Sequence, residues 1–130
     1  MLDIGIGEPG RPPLPTEPSL GLDNDGYYWF LYPLIESLTA CTGQWIDLYG
    51  DAKFAGDDLL ALGRMLTEAR RRVDAQPETW EVHIGTQTHP VVRELFSTVH
   101  RDEFMKLFDR WERVIERAKE TGRSVVCFGD

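Results

Sequence analysis

The chain has 130 residues, enough for one domain with a single core, and its 42% hydrophobic and 28% charged fractions are those of a folded globular protein rather than a disordered one. Its net charge of −8 sits wholly in the first half: residues 1–62 carry ten acids against Arg11 and Lys53, while residues 63–130 carry twelve of each sign. A surface of that sign repels nucleic acid and anionic membranes and attracts basic proteins.

Residues 1–26 hold five of the eight prolines (Pro9, Pro12, Pro13, Pro15, Pro18) and show little hydrophobic periodicity. Proline fixes φ and removes a backbone donor, so this composition predicts an extended arm, draped on the surface or disordered. Within it Leu2–Ile6 can pair as a short edge strand. Asp3 and Glu8 stand where a signal peptide carries Lys or Arg, and no apolar run approaches the roughly 20 residues that span a bilayer.

From Tyr27 the chain turns apolar. A helix begins either near Pro33 or near Asp25 with a kink at Pro33, and Gly43 closes it. Gln44–Tyr49 alternates and reads as a strand, turned by Gly50-Asp51. Leu59, Leu62, Leu66, Ala69 and Val73 then step by three and four along a second helix. Asp57 and Asp58 open that helix and Arg70-Arg71-Arg72 closes it, matching the macrodipole at both ends. Trp80, Val82 and Ile84 mark a strand, and Arg93–Val99 pairs back on it as a hairpin. A third helix covers about Asp102–Thr121, with Glu103 as a capping-box acid behind a poor N-cap, His100. Ser124–Phe128 is continuously apolar, which predicts a central strand buried on both faces. The expectation is an α+β fold: residues 27–130 as a single domain, about four strands in a mixed sheet covered by three helices, behind the extended proline-rich arm 1–26.

Motifs for chemistry are scarce. Glu81 and His83 share a strand face and His89 follows in the loop, so a metal-dependent enzyme or small hydrolase would centre there, yet Glu-x-His-x₅-His is not an established ligand spacing. Asp23-Asn24-Asp25-Gly26 has a calcium-loop look, but Gly21 and Tyr32 occupy the first and twelfth positions, where Asp and Glu are required. It reads as a turn with a helix cap. Neither a nucleophile elbow nor a phosphate-cradling glycine loop is present. Cys41 and Cys127 lie among apolar neighbours and read as buried, reduced thiols; a bridge would require both ends to meet in the core. Arg70-Arg71-Arg72 reads as a solvated helix end rather than a nucleic-acid contact. No catalytic residue, metal or cofactor is expected.

The remaining candidate is a protein-binding face. Asp47, Asp51, Asp57 and Asp58 are interleaved with Tyr49 and Phe54, and Asp23 and Asp25 stand before Tyr27, Tyr28 and Trp29. Carboxylates steer a basic partner and rings supply buried area. The site expected is Asp47, Tyr49, Asp51, Asp57 and Asp58, with Asp23 and Asp25 as outliers. A self-packing Tyr27–Tyr32 run is a third possibility.

The strings Gln44-Trp45-Ile46-Asp47-Leu48-Tyr49-Gly50-Asp51, Trp80-Glu81-Val82-His83-Ile84-Gly85 and Val126-Cys127-Phe128-Gly129-Asp130 resemble those of small bacterial α+β immunity proteins, the antitoxins of polymorphic and contact-dependent toxin systems. The resemblance covers residues 27–130 and carries no residue roles. It implies an acidic cytoplasmic inhibitor that covers the active site of a toxin, and basic nuclease toxins would suit the acidic half.

Overall fold

Apolar stripes dictate where the three helices lie. Helix α1 (Asp25–Thr42) buries Tyr27, Tyr28, Leu31, Leu34, Ile35 and Leu38, and α2 (Asp57–Asp74) buries Leu59, Leu62, Met65, Leu66, Ala69 and Val73. Helix α3 (Arg101–Thr121) buries Phe104, Phe108, Trp111, Val114, Ile115 and Ala118. The computed structural model describes all residues 1–130. Helix α1 starts at Asp25 and runs through Pro33, and the left-handed Gly43 and Gly122 end α1 and α3 as expected.

Six strands form two sheets: β1 (Leu2–Ile6), β2 (Ser19–Leu22), β3 (Asp51–Phe54), β4 (Thr79–Gln87), β5 (Arg93–His100) and β6 (Val125–Gly129). The larger sheet has the order β2-β1-β6-β3, and β4-β5 stand apart as a two-stranded hairpin. The α+β class and the three helices match expectation; the four-stranded sheet matches in number only, because β6 alone of its strands was expected there and the hairpin expected within it forms a sheet of its own. Every pairing is antiparallel, however, so the sheet is not mixed.

The register explains the burial. Leu20, Ile4, Cys127 and Ala52 form one row across the sheet, and Ile6, Val125 and Phe54 another; all face the helices and are buried. The opposite face carries Gly21, Asp3, Phe128 and Asp51, then Ser19, Gly5, Val126 and Lys53. Residues 7–18 fold back over that second face. Gly5 has no side chain because Pro13 takes the space: a Cβ there would lie 2.6 Å from the proline Cβ. The Leu14 amide donates to the Ile6 carbonyl at 2.8 Å, and Glu17 accepts from Arg117 and Arg123. Val126 is thereby sealed at 1% exposure, and β6 is central and covered on both faces.

Two expectations need correction. Residues 1–26 are not an arm outside the domain: β1 lies inside the sheet, β2 takes the edge, and only the connecting prolines drape the surface. Gln44–Tyr49 is a loop rather than a strand, and the strand comes later, at Asp51–Phe54. Side chains satisfy the loop backbone in place of a ladder: Thr42 Oγ1 accepts from Gln44 N, Thr39 Oγ1 donates to the Gln44 carbonyl, and the Tyr28 hydroxyl donates to the Ile46 carbonyl at 2.8 Å. Ile46 and Leu48 are buried, which produced the alternation.

An aromatic cluster pins the hairpin base to the helices. Phe30 meets Trp80 edge-on at 5.3 Å, and Phe104 contacts Tyr27, Phe30, Trp80 and Phe108. Beyond that anchor the hairpin leaves the core: no residue from Glu81 to Thr98 is buried.

Candidate functional site

Antiparallel pairing gathers one set of strand ends. Leu2 pairs with Leu22 and Gly129, and Asp3 and Asp51 both pair with Phe128. The start of β1, the end of β2, the end of β6 and the start of β3 therefore share one end of the sheet. Strands about 4.8 Å apart make that end roughly 15 Å wide. Asp3, Asp23, Asp51 and Asp130 lie along it, and the loop carrying Asp47 is seated on it, because Gly129 packs directly against the Asp47 and Leu48 backbone. The Gly129 amide also donates to the Gly50 carbonyl at 2.9 Å.

Local hydrogen bonds aim the exposed groups. The Asp47 Oδ1 accepts from the Tyr49 amide at 3.0 Å, an Asx turn that throws the Tyr49 ring outward to 79% exposure. Burial, and secondarily the Asp47 carboxylate, push the Tyr28 hydroxyl up to about 12, so it stays a proton donor beneath this loop. Asp23 and Asp25 flank Asn24, whose Oδ1 accepts from Gly26 N at 2.8 Å as the cap of α1. The same Oδ1 accepts from Ser97 Oγ, and the Asn24 Nδ2 donates to the Thr98 carbonyl. The Asp-Asn-Asp-Gly string is a cap fastened to β5.

The seven residues read from the sequence thus fall into two groups. Asp23, Asp25, Asp47, Tyr49 and Asp51 belong to the rim at this sheet end. Asp57 and Asp58 follow the other end of β3 and start α2, whose Gly56 cap supplies no side-chain hydrogen bond, so their charges complement the helix dipole. The rings proposed to accompany the acids are mostly core: Phe54, Tyr27 and Tyr28 are buried and Trp29 is half-buried, leaving Tyr49 as the one exposed ring. The Tyr27–Tyr32 run is divided likewise: Tyr27, Tyr28 and Leu31 are buried, and Trp29, Phe30 and Tyr32 are half-buried against the core. Asp3 and Asp130 were missed, since only the pairing of β1 with β6 brings them to the rim.

Ion pairing separates the halves of the chain. Of the ten acids in residues 1–62, only Glu17 has an ion-pair partner, held by Arg117 and Arg123. Most acids beyond residue 62 are paired. Arg70 is neutralised by Asp109 at 2.7 Å and Glu112 at 2.8 Å, and Arg71 and Arg72 share Glu68, holding its carboxyl at about 2. The one basic run in the chain is spent on its own surface, while the rim carboxylates other than Asp130, which meets the Met1 ammonium, are not.

The residues weighed for catalysis do not assemble. Glu81 accepts from Thr98, His83 pairs with Glu94, and His89 sits in the connecting turn; no three His, Cys, Asp or Glu side chains are grouped to hold a metal. The main depression, about 390 Å³ between α2 and α3, is lined by Leu60, Arg64, Glu112 and Lys119 among others and offers no nucleophile with a base. Cys127 is buried, which raises its thiol far above the ordinary range, but Cys41 is exposed, contrary to expectation, and the two are not bridged. No helix is long and apolar enough to cross a membrane. No protein-family model, curated protein or solved structure matches the chain.

Proposed function

We propose that the chain is a protein-binding protein of the immunity type, an inhibitor in the cytoplasm that neutralises a basic toxin or effector by covering it. The observation that supports this is the rim: Asp3, Asp23, Asp25, Asp47, Asp51 and Asp130 at one sheet end around an exposed Tyr49, with five of these carboxylates free of any ion pair and Asp130 meeting only the Met1 ammonium. Unpaired carboxylates at low desolvation cost accelerate encounter with a cationic surface, and a single projecting ring supplies a buried anchor. The immunity class itself rests on the resemblance of the strings around Asp47 and Trp80. No residue is given a catalytic role.

The test is capture from a host lysate on the immobilised full chain, eluted in steps of rising salt. A basic protein is expected from the native chain. Asp47→Lys/Asp51→Lys should lose it at lower salt, with association slowed about tenfold or more, whereas Asp57→Lys/Asp58→Lys should retain it. Equal retention by both double variants would remove the rim from the reading. Assaying the released protein with and without the chain then separates an inhibitor from a mere binder.

A further inference from the structure

The outer half of the β4–β5 hairpin is built as an incomplete sheet. Ile84, Val91, Val92, Leu95 and Phe96 lie outside the core cluster, and Val91, Val92 and Phe96 are 64%, 75% and 55% exposed. Two strands alone are marginally stable in water; a third strand or a packed face is needed. Its two edges differ. A register break between His83 and Gly85 interrupts β4, as bulges do at edges protected from pairing. Strand β5 is regular from Arg93 to His100.

The open edge of β5 can be read residue by residue. The Thr98 carbonyl accepts from Asn24 Nδ2, so Thr98 points its backbone away from β4. Alternation then turns Phe96 and Glu94 outward as well. Thr98 is occupied by Asn24, which leaves Phe96 and Glu94 to pair.

We propose that this edge binds a second copy of the chain, β5 against β5 antiparallel about a two-fold axis at Leu95. In that register Glu94 of each copy lies opposite Phe96 of the other, giving four backbone hydrogen bonds, and Leu95 faces Leu95. Sliding one pair toward the turn would set Glu94 against Glu94, and sliding toward the base would meet the Asn24-occupied Thr98. A second copy suits the local charge: in a chain of net −8 the stretch from Gly85 to Thr98 holds only Arg93 and Glu94, which cancel, so like-charged molecules meet where neither carries a net charge. A two-fold contact uses the same edge on both copies and so closes at a dimer, a four-stranded sheet of order β4-β5-β5-β4. This inference is independent of the acidic rim.

The test is the mass in solution by light scattering, with a cysteine reporter. The native chain should approach twice its 14.9 kDa mass. Phe96→Lys, at a position outside the core, should weaken the dimer by about tenfold or more by placing a charge on the edge. In a Cys41→Ser background, Leu95→Cys should form a disulfide-linked dimer on mild oxidation, since facing non-hydrogen-bonded residues lie about 4.5 Å apart at Cα, within disulfide reach. A native chain that stays monomeric at its highest soluble concentration overturns the proposal. So does a dimer indifferent to Phe96→Lys. Should Leu95→Cys fail to fold, the native mass and Phe96→Lys decide alone.

Discussion

The four-stranded sheet and the hairpin carry ladders of the same antiparallel kind, yet one is covered on both faces at its centre and the other has no fully buried residue between Glu81 and Thr98. The difference lies in layers, not in hydrogen bonds. Helices bury Leu2, Ile4 and Ile6 on one side of β1, and the proline loop seals Gly5 and Val126 on the other. The hairpin has one anchored end, at Trp80 and Val99. Apolar burial, at roughly 25 cal/mol per Å², is therefore concentrated in the sheet, and the hairpin's outer half is left to local pairing.

That contrast can be broken most forcefully at Ile4. Truncation by Ile4→Ala should cost about 2–5 kcal/mol in denaturant unfolding, against less than about 1 kcal/mol for Ile84→Ala; equal losses would mean that the hairpin is packed as tightly as the sheet. Gly5→Ala should come next, costing about 1–3 kcal/mol because a stiff proline ring, not a flexible side chain, must yield. Native-state amide exchange sharpens the comparison without mutation: β1 and β6 should exchange near the global limit, and residues beyond His83 far faster. The smallest effect is that of Glu17. Arg117 holds its carboxyl below the ordinary value, so its contribution is present above the unfolded-state pKa and is lost as pH falls through the folded one. The difference in melting temperature between the native chain and Glu17→Gln should shrink as pH drops below about 4; a gap that persists in acid would assign the effect to packing.

Periodicity made the helices and the hairpin legible, because each is set by neighbours within a few residues. Asp57–Asp74 and Arg101–Thr121 differ from expectation by a residue or two. What escaped was long-range. A proline-rich stretch gives no local sign that the strand before it will lie between β2 and β6. At Gln44–Tyr49 the same alternation that marks a strand arises from two side chains, Ile46 and Leu48, reaching the core from a loop. The rim was half legible for the same reason. Asp47, Tyr49 and Asp51 are close in sequence, whereas Asp3 and Asp130 join them only through strand pairing.

The pairing of β1 with β6 also governs when the fold can close. Its partners lie more than a hundred residues apart, and β6 is the last element in chain order. During synthesis β1 can find β2 early, but its other edge, with Leu2, Ile4 and Ile6 behind it, must wait until residues 125–129 have left the ribosome. Closure of the central ladder is thus a late, non-local step, of the kind that slows folding and leaves an apolar edge open to chaperones in the interval.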